Sequence, residues 1–308
     1  MMAAMAVVAP AAAMEPARSG CEWVPDLLPL PTDTAGGEVT AGDGKWFAGD
    51  GYAPDEGLLW QDGRLVAHEQ AFGLETKLKA VNASGVAAGD VYGTDGRSHA
   101  VRYAGGRYEY LPETAARSVA LDVNDRGTVV GYDGAALVVW PPSGPARVLP
   151  MPPGAAPNGK PSIDEDDTVV VRTGTLADRT MRWQTYAWSP SGTRVPLAAG
   201  DVRDVRDGWA VGTLGQSVAV AAGWSLGGDR SRAYVGGIDA VAVNRTGVAV
   251  GTGTAGEPLL WFGLVPVPLP APPGYYPGPA TAVNDTQAGG FVSPLDDAGT
   301  VPVRWFCR

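Results

Sequence analysis

Histidine is scarce in this chain, and its scarcity limits the acid–base and metal chemistry that the sequence could support. The only histidines among the 308 residues are His68 and His99. The sequence therefore does not favour a Ser-His-Asp relay or a histidine-rich metal site, because both need histidine side chains. His99 occupies the motif position of a repeated segment, which favours a packing role over catalysis. His68 follows a predicted strand, where we expect its side chain to be exposed.

The densest group of carboxylates is the run Asp164-Glu165-Asp166-Asp167. Carboxylate oxygens suit Ca²⁺, but an EF-hand loop also needs a glycine for its sharp turn and a distal glutamate, and the run has neither. A solvated acidic turn is therefore favoured over a calcium site. From the sequence we expect no metal site and no cofactor.

Three segments match short catalytic or nucleotide-binding motifs by spacing alone. Residues 251–256 fit G-x-G-x-x-G, but Pro258 and a predicted strand follow where a dinucleotide site needs a helix. Residues 154–160 have the spacing of a P-loop, but Pro161 replaces the required serine or threonine. Residues 223–227 fit the nucleophile elbow, yet no strand-to-helix turn is predicted there. We interpret all three as turns or blade edges.

The balance of charge argues against one class of partner. Acidic residues number 33 against 23 lysines and arginines, which gives a formal net charge of −10. Binding to nucleic acid or to an anionic membrane surface depends on clustered basic side chains. We therefore expect an acidic monomer without a nucleic-acid or membrane partner.

Residues 1–20 are small and apolar and include the run Ala11-Ala12-Ala13. This composition favours the tail of a secretory signal peptide with an A-x-A cleavage site, although no lysine or arginine precedes Arg18. A disordered alanine-rich leader is the alternative. We assign residues 1–20 to a leader and residues 21–308 to one domain.

A unit of four short apolar segments recurs along that domain. Its clearest copy, residues 239–270, reads as four strands, with a turn from Asn244 to Gly247 between the first two. An aromatic residue ends each third strand, in order Trp60, Tyr103, Trp140, Trp188, Trp224, Trp261 and Trp305. Their mean spacing of about 41 residues is typical of a four-stranded propeller blade. The sequence thus predicts an all-β, seven-bladed β-propeller, with six or eight blades as alternatives because the first and fifth repeats are weak.

The repeat resembles a known family. The pattern A-x-x-h-N-x-x-G-x-h-h-G, followed by an H-A-F-x-W-like strand, is similar to the bacterial extracellular HAF repeat. The segment from Ser98 to Tyr103 is its nearest copy of the naming motif. The resemblance spans about residues 36–306 and implies an exported, propeller-like protein. It implies no defined activity and supplies no catalytic residues.

The two ends of the domain are predicted to close the ring. The last repeat supplies only three strands, and residues 23–30 read like the fourth strand of the preceding repeat. The N-terminal strand should therefore complete the last blade. Cys21 and Cys307 would then lie on adjoining strands and form a disulfide. A disulfide implies an oxidising compartment, in agreement with a secreted or cell-envelope protein.

The candidate ligand site comes from propeller geometry. Loops between second and third strands, and between successive blades, share one face around the channel. On that face we place Tyr52, Tyr92, Asp95, Arg182, Trp183, Tyr275 and Tyr276. Aromatic and charged side chains at a channel mouth suit a small molecule, peptide or protein, with ordinary loop decoration as the alternative.

Two functions follow from that placement. The leading hypothesis is an exported, non-catalytic binding or scaffold module. The alternative is a small-molecule enzyme, such as a lyase, cyclase or hydrolase, with its site in the channel mouth. That enzyme would use Tyr, Asp or Arg as acid and base.

Overall fold

The chain forms a ring of seven antiparallel sheets in the computed structural model, which confirms the predicted seven-bladed β-propeller. The structure describes residues 21–197, 200–215, 218–227, 231–296 and 299–308, so the predicted leader, residues 1–20, lies outside the described residues. First strands of neighbouring blades contact one another around the central channel, and the later strands of each blade follow outward.

Strands are numbered in chain order, and β1, Trp23–Leu27, belongs to the last blade. Blade I contains β2 Gly36–Asp43, β3 Trp46–Tyr52, β4 Glu56–Gln61 and β5 Arg64–Glu69. A one-turn 3₁₀ helix, Ala71–Gly73, connects it to the next blade. Blade II contains β6 Glu75–Val81, β7 Ala87–Tyr92, β8 Ser98–Ala104 and β9 Arg107–Tyr110. Blade III contains β10 Ser118–Val123, β11 Val129–Asp133, β12 Ala136–Trp140 and β13 Arg147–Val148.

Blade IV contains β14 Ala155–Pro157, β15 Ser162–Ile163, β16 Val169–Ala177, β17 Thr180–Trp188 and β18 Arg194–Leu197. Its first strand is divided into two short pieces, β14 and β15, and both pair with β16. Blade V contains β19 Asp201–Arg206, β20 Trp209–Leu214, β21 Val220–Ser225 and β22 Ser231–Ala233. Blade VI contains β23 Gly237–Val243, β24 Ala249–Gly253, β25 Pro258–Phe262 and β26 Val265–Pro268. Blade VII contains β27 Tyr275–Val283, β28 Gln287–Pro294 and β29 Val301–Cys307, and β1 completes it.

The hydrophobic core lies between blades. Each of the seven interfaces between neighbouring blades holds its own cluster of buried apolar residues. The third-strand tryptophans predicted to pack there are buried, and Trp60, Trp140 and Trp188 are at most 1% exposed. Their indole N–H groups donate to carbonyls in the preceding inter-blade connection, as when Trp140 bonds the Pro112 oxygen at 2.7 Å. These three indoles thus fill their interfaces without leaving a buried donor unpaired, whereas the buried Trp224 Nε1 makes no hydrogen bond to any residue that the structure describes.

The recurring asparagine has two roles in the turn between first and second strands. The Asn124 Oδ1 accepts from the N–H groups of Arg126 and Thr128, which braces its own turn. Its Nδ2 donates to the Asp164 carbonyl oxygen of the next blade at 2.9 Å. Asn82 and Asn244 repeat both arrangements. The repeated asparagine therefore supplies the predicted turn chemistry and also joins adjacent blades.

Ring closure follows the prediction from the chain ends. Strand β1 pairs antiparallel with β29, with Trp23 opposite Cys307 and Leu27 opposite Val303. Cys21 and Cys307 form a disulfide with a Cα–Cα separation of 5.4 Å. Within the described residues, no helix has the length and apolar character needed to cross a membrane.

We expect Cys21→Ser and Cys307→Ser to lower the free energy of unfolding equally, and the double substitution to lower it no further. Each change removes the same bond, which joins residues 286 positions apart. Chain entropy sets an upper bound of about 5–6 kcal/mol on the loss. Urea unfolding of the three variants measures it. Additive losses, or two reactive thiols in the denatured, non-reduced protein, would contradict the closure.

Candidate functional site

Strand order fixes which connections share an end of the channel. Because consecutive strands of a blade run in opposite directions, the second-to-third-strand connections and the blade-to-blade connections emerge at one end. We call this end the connection face. The turns between first and second strands lie at the opposite end, which we call the turn face.

All seven predicted ligand-site residues lie in, or beside, connections of the connection face: Tyr52 at the end of β3, Tyr92 at the end of β7, Asp95 between β7 and β8, Arg182 and Trp183 near the start of β17, and Tyr275 and Tyr276 at the start of β27. They form separate groups in blades I, II, IV and VII. In the part of the chain that the structure describes, no hydrogen bond, ion pair or ring contact links the group of one blade to that of another. The seven residues therefore share a face as separate groups.

Tyr52 is a poor candidate for acid–base chemistry. Burial raises the pKa of its phenol, and a hydrogen bond to the Glu38 carboxylate raises it further. The phenol consequently stays protonated near neutral pH. The phenol donates this proton in its hydrogen bond to the Glu38 carboxylate.

In blade II, the connection face places His99 between two carboxylates. Its Nε2 lies 3.1 Å from the Asp95 Oδ1, and its Nδ1 lies 2.9 Å from the Glu113 Oε1. The hydrogen bonds to Asp95 and to Glu113 raise the pKa of His99, and the bond to His99 lowers the pKa of Asp95. An imidazolium that donates from both nitrogens fits this geometry. His99 therefore joins Asp95 and Glu113 through hydrogen bonds, and we call these three residues the clamp. The sequence had favoured a packing role for His99.

A stacked aromatic pair borders this clamp. The rings of Phe72 and Tyr110 lie 4.3 Å apart at an interplanar angle of 10°, and the His99 ring meets Tyr110 edge-on. Phe72 is 52% exposed and Tyr110 is 49% exposed. Phe72 also has a φ of 58°, a left-handed conformation that is unusual for a bulky residue. Backbone strain of this kind concentrates at functional sites.

Ser118 extends the hydrogen-bond network of the clamp into the interior, but its hydroxyl group is not placed to act as a nucleophile. Its Oγ donates to the Glu113 Oε2 at 2.6 Å and accepts from the Ala100 N–H at 2.8 Å. The residue is 1% exposed, so a substrate has no access to its oxygen. The hydroxyl proton is also directed to Glu113 instead of to an imidazole base. This network orders the carboxylate beside His99.

Blade IV carries a second apolar feature on the same face. Strands β16 and β17 pair along nine residues each, and the end of this hairpin exposes Leu176, Met181 and Trp183. The Arg172 guanidinium lies over the Trp183 ring, 4.9 Å from its centroid. Arg182 points elsewhere and pairs with Asp178 at 3.7 Å. The hairpin therefore presents an apolar side and a charged side.

The connection face holds most of the exposed large apolar side chains of the described residues. They are Phe72, Tyr92, Tyr110, Leu176, Met181, Trp183, Val218, Val235, Ile238, Tyr276 and Leu295. Several others lie on the outermost strands, such as Val148 and Val265. The sequence identified only some of this group, because Phe72 and Tyr110 carry no repeat signal. The signals were an aromatic residue in a short inter-blade connection for Phe72 and an aromatic residue at the end of a fourth strand for Tyr110.

The acidic run Asp164–Asp167 forms the turn that the sequence favoured, but Asp164 is buried and only Asp166 is fully exposed. Both Asp164 carboxylate oxygens accept from the Gly208 N–H of blade V, at 3.1 and 3.0 Å. Glu165 accepts from the Asp125 N–H of blade III at 2.7 Å. Burial raises the pKa of Glu165 to about 7. The run is partly buried, because its side chains join blades III, IV and V at the turn face.

The residues that could hold a metal ion also lie at the turn face. Asp43, Asp125 and Glu165 each place one carboxylate oxygen within 4.8 Å of the other two. The sequence predicted no metal site, and these three residues are far apart along the chain. Their approach depends on the closed ring.

Comparison with known proteins supports the fold and nothing finer. No protein-family model and no curated protein matches the sequence. Virginiamycin B lyase from Staphylococcus aureus has a similar structure, with a TM-score of 0.59 at 11% identity over 92% of this chain and 99% of the lyase chain. The β-propeller domain of the Trilobed protease from Pyrococcus furiosus gives 0.59 at 12% identity over 88% of this chain and 95% of that domain.

The Cps50 (Swd1) propeller from Myceliophteria thermophila gives a TM-score of 0.58 at 9% identity over 91% of this chain and 99% of that domain. At such identities the likeness shows a shared propeller fold alone.

The clamp predicts how His99 titrates. We expect Asp95→Asn and Glu113→Gln each to lower the pKa of His99, because each removes a negative hydrogen-bond acceptor from one ring nitrogen. NMR titration of the imidazole signals measures the change, with the signal of His68 as an internal control. A His99 midpoint unchanged in both variants would contradict the clamp.

Proposed function

We propose that this protein is a non-catalytic binding module that recognises a peptide segment on the connection face. The observation that carries the proposal is the exposed, stacked pair of Phe72 and Tyr110 beside the His99 clamp. Large aromatic side chains grouped on a surface contribute much of the binding energy when a partner covers them.

The chemistry around the pair indicates what such a peptide offers. The ring surfaces suit an apolar or aromatic side chain. Asp95 and Glu113 lie at their rim and keep acceptor capacity beyond their bonds to His99. A lysine or arginine next to an aromatic residue would satisfy both features. The formal net charge of −10 also favours the approach of a basic segment.

The blade IV hairpin supports a peptide or protein over a small molecule. Its apolar side chains, Leu176, Met181 and Trp183, are separated from the blade II pair by the whole of blade III. A ligand that contacts both must span a blade. An extended polypeptide can do so, and a single small molecule in either group would leave the other unused.

We also propose that the protein is exported and belongs with the bacterial HAF-repeat proteins. The Cys21–Cys307 disulfide supports export, because disulfides persist in oxidising compartments. The repeated turn asparagine and the buried third-strand aromatics support the repeat family, since both recur at the positions that the HAF-like pattern marks.

Selection of a random-peptide library against the disulfide-intact protein tests the binding function. We expect enriched peptides that combine an aromatic residue with lysine or arginine. A synthetic copy should bind Phe72→Ala and Tyr110→Ala about tenfold or more weakly, a loss of about 1.4 kcal/mol, in fluorescence anisotropy. Thermal unfolding of both variants should stay near that of the unmodified protein, because the removed rings are half exposed.

Val148→Ala and Val265→Ala serve as matched controls, since each removes a side chain that is 61% exposed on an outermost strand. Neither control should change peptide affinity. The proposal is wrong if the enriched peptides bind Phe72→Ala and Tyr110→Ala as tightly as the controls, or if selection yields no saturable binder.

A further inference from the structure

The turn face brings together three carboxylates that are remote in sequence. Asp43 ends β2 in blade I, Asp125 follows the turn asparagine of blade III, and Glu165 follows Asp164 in blade IV. One oxygen of each lies within 4.8 Å of the other two. Blades I and III are not neighbours in the ring, so the three side chains meet across the end of the channel.

A backbone N–H group holds each carboxylate in place. The Asp43 Oδ1 accepts from the Gly44 N–H at 2.8 Å, and the Asp125 Oδ1 accepts from the Ala83 N–H at 2.9 Å. The Glu165 Oε2 accepts from the Asp125 N–H at 2.7 Å. These bonds fix the three groups before any ligand arrives, which reduces the cost of assembling a site.

One oxygen of the cluster lacks a partner. The Asp43 Oδ2 is buried and makes no hydrogen bond to any residue that the structure describes. The Asp43 side chain is only 2% exposed, and it lies within the group formed with Asp125 and Glu165. A buried carboxylate oxygen without a partner is costly, and a bound cation would remove that cost.

Nearby arginines balance only part of the negative charge. The Arg245 Nη2 pairs with the Asp43 Oδ1 at 2.8 Å and with the Asp125 Oδ2 at 3.2 Å, and its Nε pairs with Asp285. Arg206 pairs with Asp122 and with the Glu165 Oε1. The two guanidinium groups thus face five carboxylates, which are Asp43, Asp122, Asp125, Glu165 and Asp285. These ion pairs therefore join more carboxylates than guanidinium groups at the turn face.

We propose that Asp43, Asp125 and Glu165 bind a calcium ion at the turn face. Ca²⁺ binds oxygen ligands at about 2.3–2.6 Å, so one ion can contact three oxygens that all lie within 4.8 Å of one another. Mg²⁺ demands near-ideal octahedral geometry at about 2.0–2.1 Å, which three side chains held by their own backbone bonds satisfy less readily. Asp43 contributes its free Oδ2, Arg245 stays on the Oδ1, and water completes the coordination.

The ion would also join blades I, III and IV across the channel. Binding of the ion would therefore stabilise the ring. The calcium site is separate from the peptide-binding surface proposed at the connection face. Failure of one proposal leaves the other standing.

Isothermal titration of chelator-treated protein with CaCl₂ tests the site, together with thermal unfolding at matched ionic strength. We expect one ion per chain, a saturable rise in melting temperature and a smaller response to MgCl₂. Glu165→Gln and Asp125→Asn should each weaken calcium binding about tenfold or more, since each removes one charged ligand.

Asp166→Asn is the matched control, because Asp166 is exposed, belongs to the same acidic run and lies outside the cluster. It should bind calcium like the unmodified protein. Circular dichroism of the ion-free variants shows whether each one folds, and if Glu165→Gln does not, Asp125→Asn gives the result. Absence of saturable binding, or equal binding by Asp166→Asn and both cluster variants, would overturn the calcium site.

Discussion

Closure of the ring is the constraint on which the rest of the structure depends. Every blade is apolar on both faces, and each face is covered only by the next blade. An open ring would expose two such faces to water and leave β29 as an unpaired edge. Strand β1 pairs with the edge of β29 and gives blade VII its fourth strand, and Leu28 completes the cluster between blades VII and I together with Val39 and Trp60. The disulfide then holds together two ends that are otherwise joined by noncovalent pairing.

The closed ring gives the two ends of the channel different chemistry. At the turn face, short asparagine turns bond from blade to blade and bring charged residues close together. At the connection face, longer segments leave the repeat pattern and expose aromatic side chains, with Phe72 in a strained conformation. The first end suits a fixed ion that strengthens the ring, and the second suits a surface that meets a partner. We infer that stability and recognition are separated along the channel axis.

The sequence predicted what depends on local pattern. Asn244 and Gly247 mark a turn, and Trp261 marks the third strand that follows, so the strands of blade VI could be located from the residues alone. The pairing of β1 with β29 could be predicted because the last repeat lacked one strand.

The contacts that the sequence did not predict depend on the closed ring. The stack of Phe72 on Tyr110 requires the path of an irregular connection, for which no repeat gives a template. The meeting of Asp43, Asp125 and Glu165 requires the width of the channel. One signal was nevertheless present, because the residue after the turn asparagine or aspartate is charged in four repeats: Asp125, Glu165, Arg245 and Asp285.

Hydrogen exchange of the intact protein tests ring closure most directly. The account predicts that the segment of residues 22–30 exchanges far more slowly than an unpaired tail, because Glu22 and Leu28 donate backbone hydrogen bonds toward the β29 segment and Trp23–Leu27 pair along their whole length. Mass spectrometry of the peptic fragments compares the two segments under native conditions. Exchange of residues 22–30 at the rate of an unpaired tail, with β29 still protected, would contradict a ring closed by its N-terminal strand.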